Sequence, residues 1–245
     1  MNRGLCLLLL ALDYFSWQPT IRHRRNNCFI YAGNLSVEMD FIHPLQTIVP
    51  GVQGRILAVL AETTAELNLR AIASIASVSE AQASRVLPGL VAVGVVQRRE
   101  APPSALFRLV RGHIAAGPII ALSRSRDRMI QEMRQIAEGL PVSPASVVIF
   151  GSFARGEADA DSDIDTLLVR PSGIGESDEP WYASVQQWID RVGEVSGNRV
   201  EVLEASEDEV PARLDRGGSV WQDIERDGLI IHGTSLVTYR SVVGG

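Results

Sequence analysis

Val147-Val148-Ile149-Phe150-Gly151-Ser152-Phe153-Ala154-Arg155-Gly156 runs, after an acidic small-residue loop, into Ser162-Asp163-Ile164-Asp165-Thr166-Leu167-Leu168-Val169. The first apolar run predicts a buried strand that ends in a Gly-Ser turn. The second predicts a strand that carries two aspartates two residues apart. Strand side chains alternate faces, so Asp163 and Asp165 point the same way, into the space above the turn. Two carboxylates there suit a pair of Mg²⁺ ions, and a turn rich in free backbone N–H groups suits phosphate. This is equipment for phosphoryl or nucleotidyl transfer.

The rest of the 245-residue chain sets bounds on that reading. Apolar content of 46% and charged content of 21% describe an ordinary globular protein with room for one or two cores. All 23 basic residues are arginine, which excludes lysine-dependent chemistry. Residues 1–140 hold 15 Arg against 10 acids, and residues 141–245 hold 8 Arg against 19 acids. A basic half joined to an acidic half fits two partners, nucleic acid for the first and metal ions for the second; uneven charge that serves only solubility is the plainer alternative. Two unpatterned cysteines, Cys6 and Cys28, make no metal site or disulfide framework, so a reducing cytoplasm is expected. The four histidines form no cluster, which leaves a zinc site or a Ser-His-Asp triad without support.

Residues 1–38 read as an upstream extension. Gly4–Leu12 looks like a short signal-peptide core, but it lacks a small-x-small cleavage site and is too short to span a bilayer. Met39 is the expected true start, and no membrane association is expected.

Residues 45–112 predict a compact module. Gly51–Ala61 reads as a helix, Leu67-Asn68-Leu69 as a short extended piece, and Arg70–Ala76 as a helix that buries Ile72 and Ile75. Ser79 and Gln82 form a capping box ahead of a third helix. That helix buries Ala83, Val86, Leu87 and Leu90 at i, i+3, i+4, i+7 spacing and ends at Gly94. Pro88 should kink it. Val95–Arg99 and Ala105–Val110 predict strands around Pro102-Pro103. Residues 113–140 predict one long connecting helix, Ala115–Gly139, with Ile119, Leu122, Met129, Ile130, Met133 and Ile136 inward and Arg124, Arg126, Arg128 and Arg134 mostly opposite. Pro141-Val142-Ser143-Pro144 marks the boundary before the last domain, 141–240.

The order helix, strand, helix, turn, helix, hairpin, with Ala83–Val96, resembles bacterial winged helix-turn-helix regulators. That resemblance implies DNA binding through outward Ser84 and Arg85, which would meet base edges or phosphates, and through Arg98 and Arg99 at the start of the wing. Use of the module for assembly alone, for example in a homodimer, is the alternative.

Gly151-Ser152-Phe153-Ala154-Arg155-Gly156 with Ser162-Asp163-Ile164-Asp165 resembles the signature of the minimal nucleotidyltransferases of the DNA-polymerase-β superfamily, over roughly 141–235. The fold expected is α+β: a winged helix-turn-helix followed by a small mixed-sheet transferase domain. The resemblance implies that Gly151 and Ser152 take the triphosphate, with Arg155 neutralising charge or orienting the loop and Ser162 orienting the aspartate strand. It implies that Asp163 and Asp165 hold two Mg²⁺, with Mn²⁺ as a substitute. The third carboxylate expected from a later strand is Glu201 in Asn198–Leu203, where relatives carry aspartate; Glu204 is a weaker contender. Glu157, Asp159 and Asp161 read as solvated loop residues, and Trp181 and Trp188 as core.

The implied function is transfer of a nucleoside monophosphate from an NTP, ATP first, to an acceptor hydroxyl. The acceptor would be a protein such as a partner toxin, a small molecule or a nucleic-acid end. A winged-helix regulator or antitoxin with a nucleotide-sensing, catalytically weak transferase domain is the alternative.

Overall fold

The structure is a computed structural model that describes residues 38–241. The expected extension, residues 1–37 of it, lies outside the described residues. Two hydrophobic cores follow one another along the chain, and they meet within the segment expected to be one helix.

The first core is built from α1 (Pro44–Ile48), α2 (Val52–Glu62), β1 (Leu67–Asn68), α3 (Leu69–Ile75), α4 (Glu80–Ala92), β2 (Val96–Ala101), β3 (Ser104–Leu109) and α5 (Ala116–Ser123). The strands form an antiparallel sheet in the order β1-β3-β2. Local chemistry sets the ends of the helices. The Asn68 side chain accepts from the Ala71 amide at the start of α3, and Ser79 and Gln82 close both halves of a capping box on α4. Gly94 takes φ +80° just past the end of α4. Ala83, Leu87 and Leu90 are buried with Ile56, Leu60 and Ile72.

Two expectations for this region are corrected. Ile75 is 59% exposed. The residues that α3 buries around its end are Ile72, Ala73 and Ala76, whose mean direction lies about 100° around the axis from Ile75. Helix α4 also continues past Pro88, the residue expected to kink it, for four more residues. Pro88 and Ser84 both lie on its exposed side, where water can satisfy the carbonyl that loses its amide partner.

The second core comprises α6 (Ser125–Glu138), β4 (Ser146–Phe150), α7 (Gly151–Arg155), β5 (Ile164–Arg170), α8 (Glu179–Ser196), β6 (Val200–Ser206), α9 (Val210–Arg216), α10 (Ser219–Asp227), β7 (Leu229–Gly233) and α11 (Leu236–Ser241). The sheet runs β6-β5-β4-β7. Strands β5 and β6 are parallel and joined through α8; β4 is antiparallel to both β5 and β7. Alternation assigns the faces. Val147, Ile149, Ile164 and Leu168 pack under α6 and α8 with Trp181 and Trp188, both fully buried. Val148, Leu167, Val169 and Ala205 pack on the other face with Val210, Leu214, Trp221 and Ile224.

The single connecting helix expected over Ala115–Gly139 is two helices, α5 and α6, broken at Arg124. The hydroxyls of Ser123 and Ser125 turn back onto the Ile120 and Leu122 carbonyls at 2.9 and 2.7 Å, which offers the backbone an alternative to a continuous helix. The two halves also serve different cores. Ile119 and Leu122 pack into the first, while Met129, Ile130, Met133 and Ile136 pack into the second. The hydrophobic division therefore falls at Arg124, ahead of Pro141–Pro144. Among the described residues no helix is long and apolar enough to cross a membrane.

Candidate active site

The site forms where β4 ends, β5 begins and β6 begins. Register brings the acids together. Asp165 lies opposite Phe150 on β4 and beside Glu201 on β6. Odd-numbered positions of β5 and β6 face the α9–α10 side of the sheet, so Asp165 and Glu201 share that face beyond the end of the packed layer, while Asp163 stands one residue before β5, near enough for its charge to act on Asp165.

The turn after Phe150 opens directly into α7, and Gly151 sits there at φ +68°. A methyl group at this position would meet Asp165 Oδ2 at 2.2 Å. Glycine is thus required twice, by its backbone angle and by the carboxylate lying against it. Half-burial, then the charges of Glu201 and Asp163, push the Asp165 carboxyl up to about 6, while Arg155 acts in the opposite direction. A carboxyl raised by acidic neighbours is relieved by a cation, and an all-oxygen donor set of this kind suits a hard divalent ion such as Mg²⁺. The donor chemistry therefore fits the expected metal, and Gly151 makes the room in which the Asp165 carboxylate sits.

The acids are not drawn into a closed cluster. Among the described residues no three His, Cys, Asp or Glu side chains are grouped as a ready metal site. Arg199, just before β6, engages Asp163 through both carboxylate oxygens, with Nε at 2.8 Å from Oδ1, and its Nη2 stands 3.7 Å from Glu201. Glu38 adds a further carboxylate nearby. Its carboxyl is raised by partial burial and by the charge of Asp163, and lowered by Arg199.

The other expected residues sit as follows. Ser152 lies in the first turn of α7. Arg155 donates to Glu157 at 2.7 Å and stands 3.7 Å from Asp227 of α10, so it ties the turn to a neighbouring helix. Ser162 bonds Asp159, hydroxyl to carboxylate at 2.7 Å, and the Asp159 carboxylate also accepts from the Asp161 amide. These two residues shape the loop. Glu204 is on the opposite face from Glu201, where it accepts from Trp181 Nε1 at 2.7 Å. In the first core Ser84 and Arg85 are exposed, but the Ser84 hydroxyl is bonded to the Ala81 carbonyl. Arg98 pairs with Glu100, and Arg99 makes a forked pair with Glu66.

Three positioning residues were missed in the sequence. Arg126, expected on the outer side of its helix, turns inward. It donates to the Phe153 and Ala154 carbonyls at the end of α7, with its guanidinium 5.6 Å from the Phe153 ring centre. Its place four and seven residues before Ile130 and Met133, on the same stripe, was the available signal. Phe41 stacks edge-on against Phe153 at 4.9 Å, and the Phe41 and Ile42 amides donate to the Ala158 carbonyl. Asn198, buried between α8 and β6, bonds both backbone groups of Met39 and the Ser162 carbonyl. Neither Phe41 nor Asn198 carries a local signal, because the partners are far away in the chain.

Residues 127–217 match the family model described as the nucleotidyltransferase domain. The match begins inside α6, two residues after its start, and ends one residue after α9. No curated protein matches the chain. Among solved structures, a toxin–antitoxin crystallised with AMP-PNP is similar at 12% identity over 46% of this chain and 82% of that one, with a TM-score of 0.33. A protein from Sulfolobus solfataricus described as a nucleotidyltransferase is similar at 27% identity over 44% and 82%, with a TM-score of 0.27. The archaeal chromatin protein TrmBL2 is similar at 16% identity over 76% of each chain, with a TM-score of 0.26.

Two outcomes follow from this geometry. The Asp165 carboxyl is raised from 3.8 to about 6, so its ionisation opposes folding; stability falls as pH rises between those values, and the penalty is full above the upper one. In metal-free buffer Asp165→Asn should raise stability by about 1 kcal/mol near pH 8, a figure reduced for the half-exposed setting, and change nothing near pH 3.5. Thermal melts at the two pH values check this, and an Asn variant that melts lower near pH 8 contradicts it. Arg126→Ala removes two charge-assisted bonds and should cost about 1–3 kcal/mol. Hydrogen exchange should quicken at residues 153–158; unchanged exchange there would show that Arg126 does not hold the turn.

Proposed function

We propose that the chain is a metal-dependent nucleotidyltransferase that moves a nucleoside monophosphate from an NTP, ATP first, to an acceptor hydroxyl. The observation that carries this reading is Asp165 lying against Gly151 at a turn that requires glycine, with Glu201 beside it in register and Asp163 one residue before its strand. The domain match over residues 127–217 supports it independently.

In this reading Asp163, Asp165 and Glu201 hold two Mg²⁺ ions, with Mn²⁺ as a substitute. When bound, the ions supply Lewis-acid stabilisation of the phosphates and lower the pKa of the attacking hydroxyl. The Gly151 and Ser152 amides and the Ser152 hydroxyl take triphosphate oxygens, because the missing Cβ lets the backbone approach closely. Arg155 and Arg126 hold the turn still from either side. Phe41 and Asn198 tie the segment before α1 to the same loop. The acceptor hydroxyl loses its proton to solvent, its oxygen bonds to the α-phosphorus, and the bond from that phosphorus to the β-phosphate bridging oxygen breaks in line to release pyrophosphate. Glutamate at 201 is long enough to reach from its exposed strand position.

The first core, 44–123, is proposed as a winged helix-turn-helix, with α4 as the helix presented to DNA and β2–β3 as the wing. Arg85 is the cation best placed for it, since Arg98 and Arg99 are engaged by Glu100 and Glu66. A protein acceptor such as a toxin, a cytoplasmic setting and a homodimer belong to the same proposal. One observation favours the second reading, a nucleotide-sensing regulator with weak transfer: Asp163 is already engaged by Arg199.

The test is transfer of label from α-labelled ATP in Mg²⁺ and host lysate by the full chain. Asp163→Asn and Asp165→Asn should each lower transfer by at least about a hundredfold. Label that survives both substitutions contradicts the transferase reading. Nucleotide binding without transfer for all four NTPs favours the regulator.

A further inference from the structure

Asp163 stands one residue before β5 and Arg199 one residue before β6, and the parallel register that pairs Ile164 with Val200 sets them side by side. The Arg199 guanidinium forms a two-pronged pair with Asp163 and reaches to 3.7 Å from Glu201. One cation therefore spans the two outer acids of the three that face the turn. A planar guanidinium matches a carboxylate edge to edge, so the Asp163 oxygens that would ligate an ion are the ones it occupies.

We propose that Arg199 is a built-in competitor for the divalent cation: it closes the site between Asp163 and Glu201 when metal is absent and releases Asp163 for the site to load. The proposal rests on reading these acids as metal ligands. The latch is reversible because it is shallow. The Arg199 side chain is 50% exposed, and pairs at such positions hold weakly, so a divalent ion brought in with a triphosphate can displace it. The displaced guanidinium remains on a long stem at the rim of the site, where the added negative charge of the nucleotide gives it a new partner. Metal affinity is then low without nucleotide and rises with it, which keeps the turn closed to stray cations.

Mn²⁺ binding to the full chain, followed by the electron paramagnetic resonance signal of the free ion, tests this without any turnover. Arg199→Gln should bind Mn²⁺ about three- to tenfold tighter than the wild type in the absence of nucleotide. Arg199→Lys keeps the charge but loses the fork, and should fall between them. Asp163→Asn should weaken binding in either background. Equal or weaker binding by Arg199→Gln, with Asp163→Asn still weakening it, overturns the latch and leaves the metal ligands standing. No Mn²⁺ binding by the wild type or by Arg199→Gln, with both melting cooperatively, overturns the metal reading and the latch together.

Discussion

The carboxylate of Asp165 lies against the backbone of Gly151, closer than any side chain at 151 would allow. Much else in the transferase half serves that approach. The antiparallel pairing of β4 and β5 puts Phe150 opposite Asp165, so the strand must turn away at the next residue. It does so at positive φ and enters α7 immediately. The result is a carboxylate against a glycine backbone at one strand end, with Ser152 in the first turn of the helix that follows. The cost is a carboxyl pushed up to about 6 by burial and by its acidic neighbours.

The turn is too short to hold itself. The Gly156 amide donates to the Phe153 carbonyl, and Arg126 from α6 adds donors to the Phe153 and Ala154 carbonyls. Phe41 covers the Phe153 ring, and Asn198 fastens Met39 to the end of the aspartate loop. The break at Arg124 makes this possible. Helix α5 follows the first core and α6 follows the second, so Arg126 enters at the head of a stripe that packs on the sheet. The same two-residue step separates the first core from a residue that grips the end of α7.

What was legible in the sequence was local or periodic. Strand, Gly-Ser turn and aspartate strand could be read directly, because period two and a glycine turn are set by near neighbours. The capping box at Ser79 and the stripe through Ala83, Leu87 and Leu90 were legible for the same reason. Alternation in β6 also separated Glu201 from Glu204. Ile75 failed because a seven-residue helix samples too few turns to define its buried side. The long helix failed because apolar spacing is continuous across Arg124, while the cores it serves are not. The pairing of Arg199 with Asp163 was hidden, since it depends on two strands 36 residues apart lying side by side. The sequence offered the acids, and tertiary structure decided which of them are already engaged.

The most direct test of the central claim is an anomalous-difference map from crystals of the chain soaked with Mn²⁺ and a non-hydrolysable ATP analogue. The account predicts peaks shared by Asp163, Asp165 and Glu201, with the triphosphate on the Gly151 and Ser152 amides and Arg199 withdrawn from Asp163. Peaks elsewhere, or nucleotide bound with Asp163 still paired to Arg199 and no metal on Asp165, would contradict it.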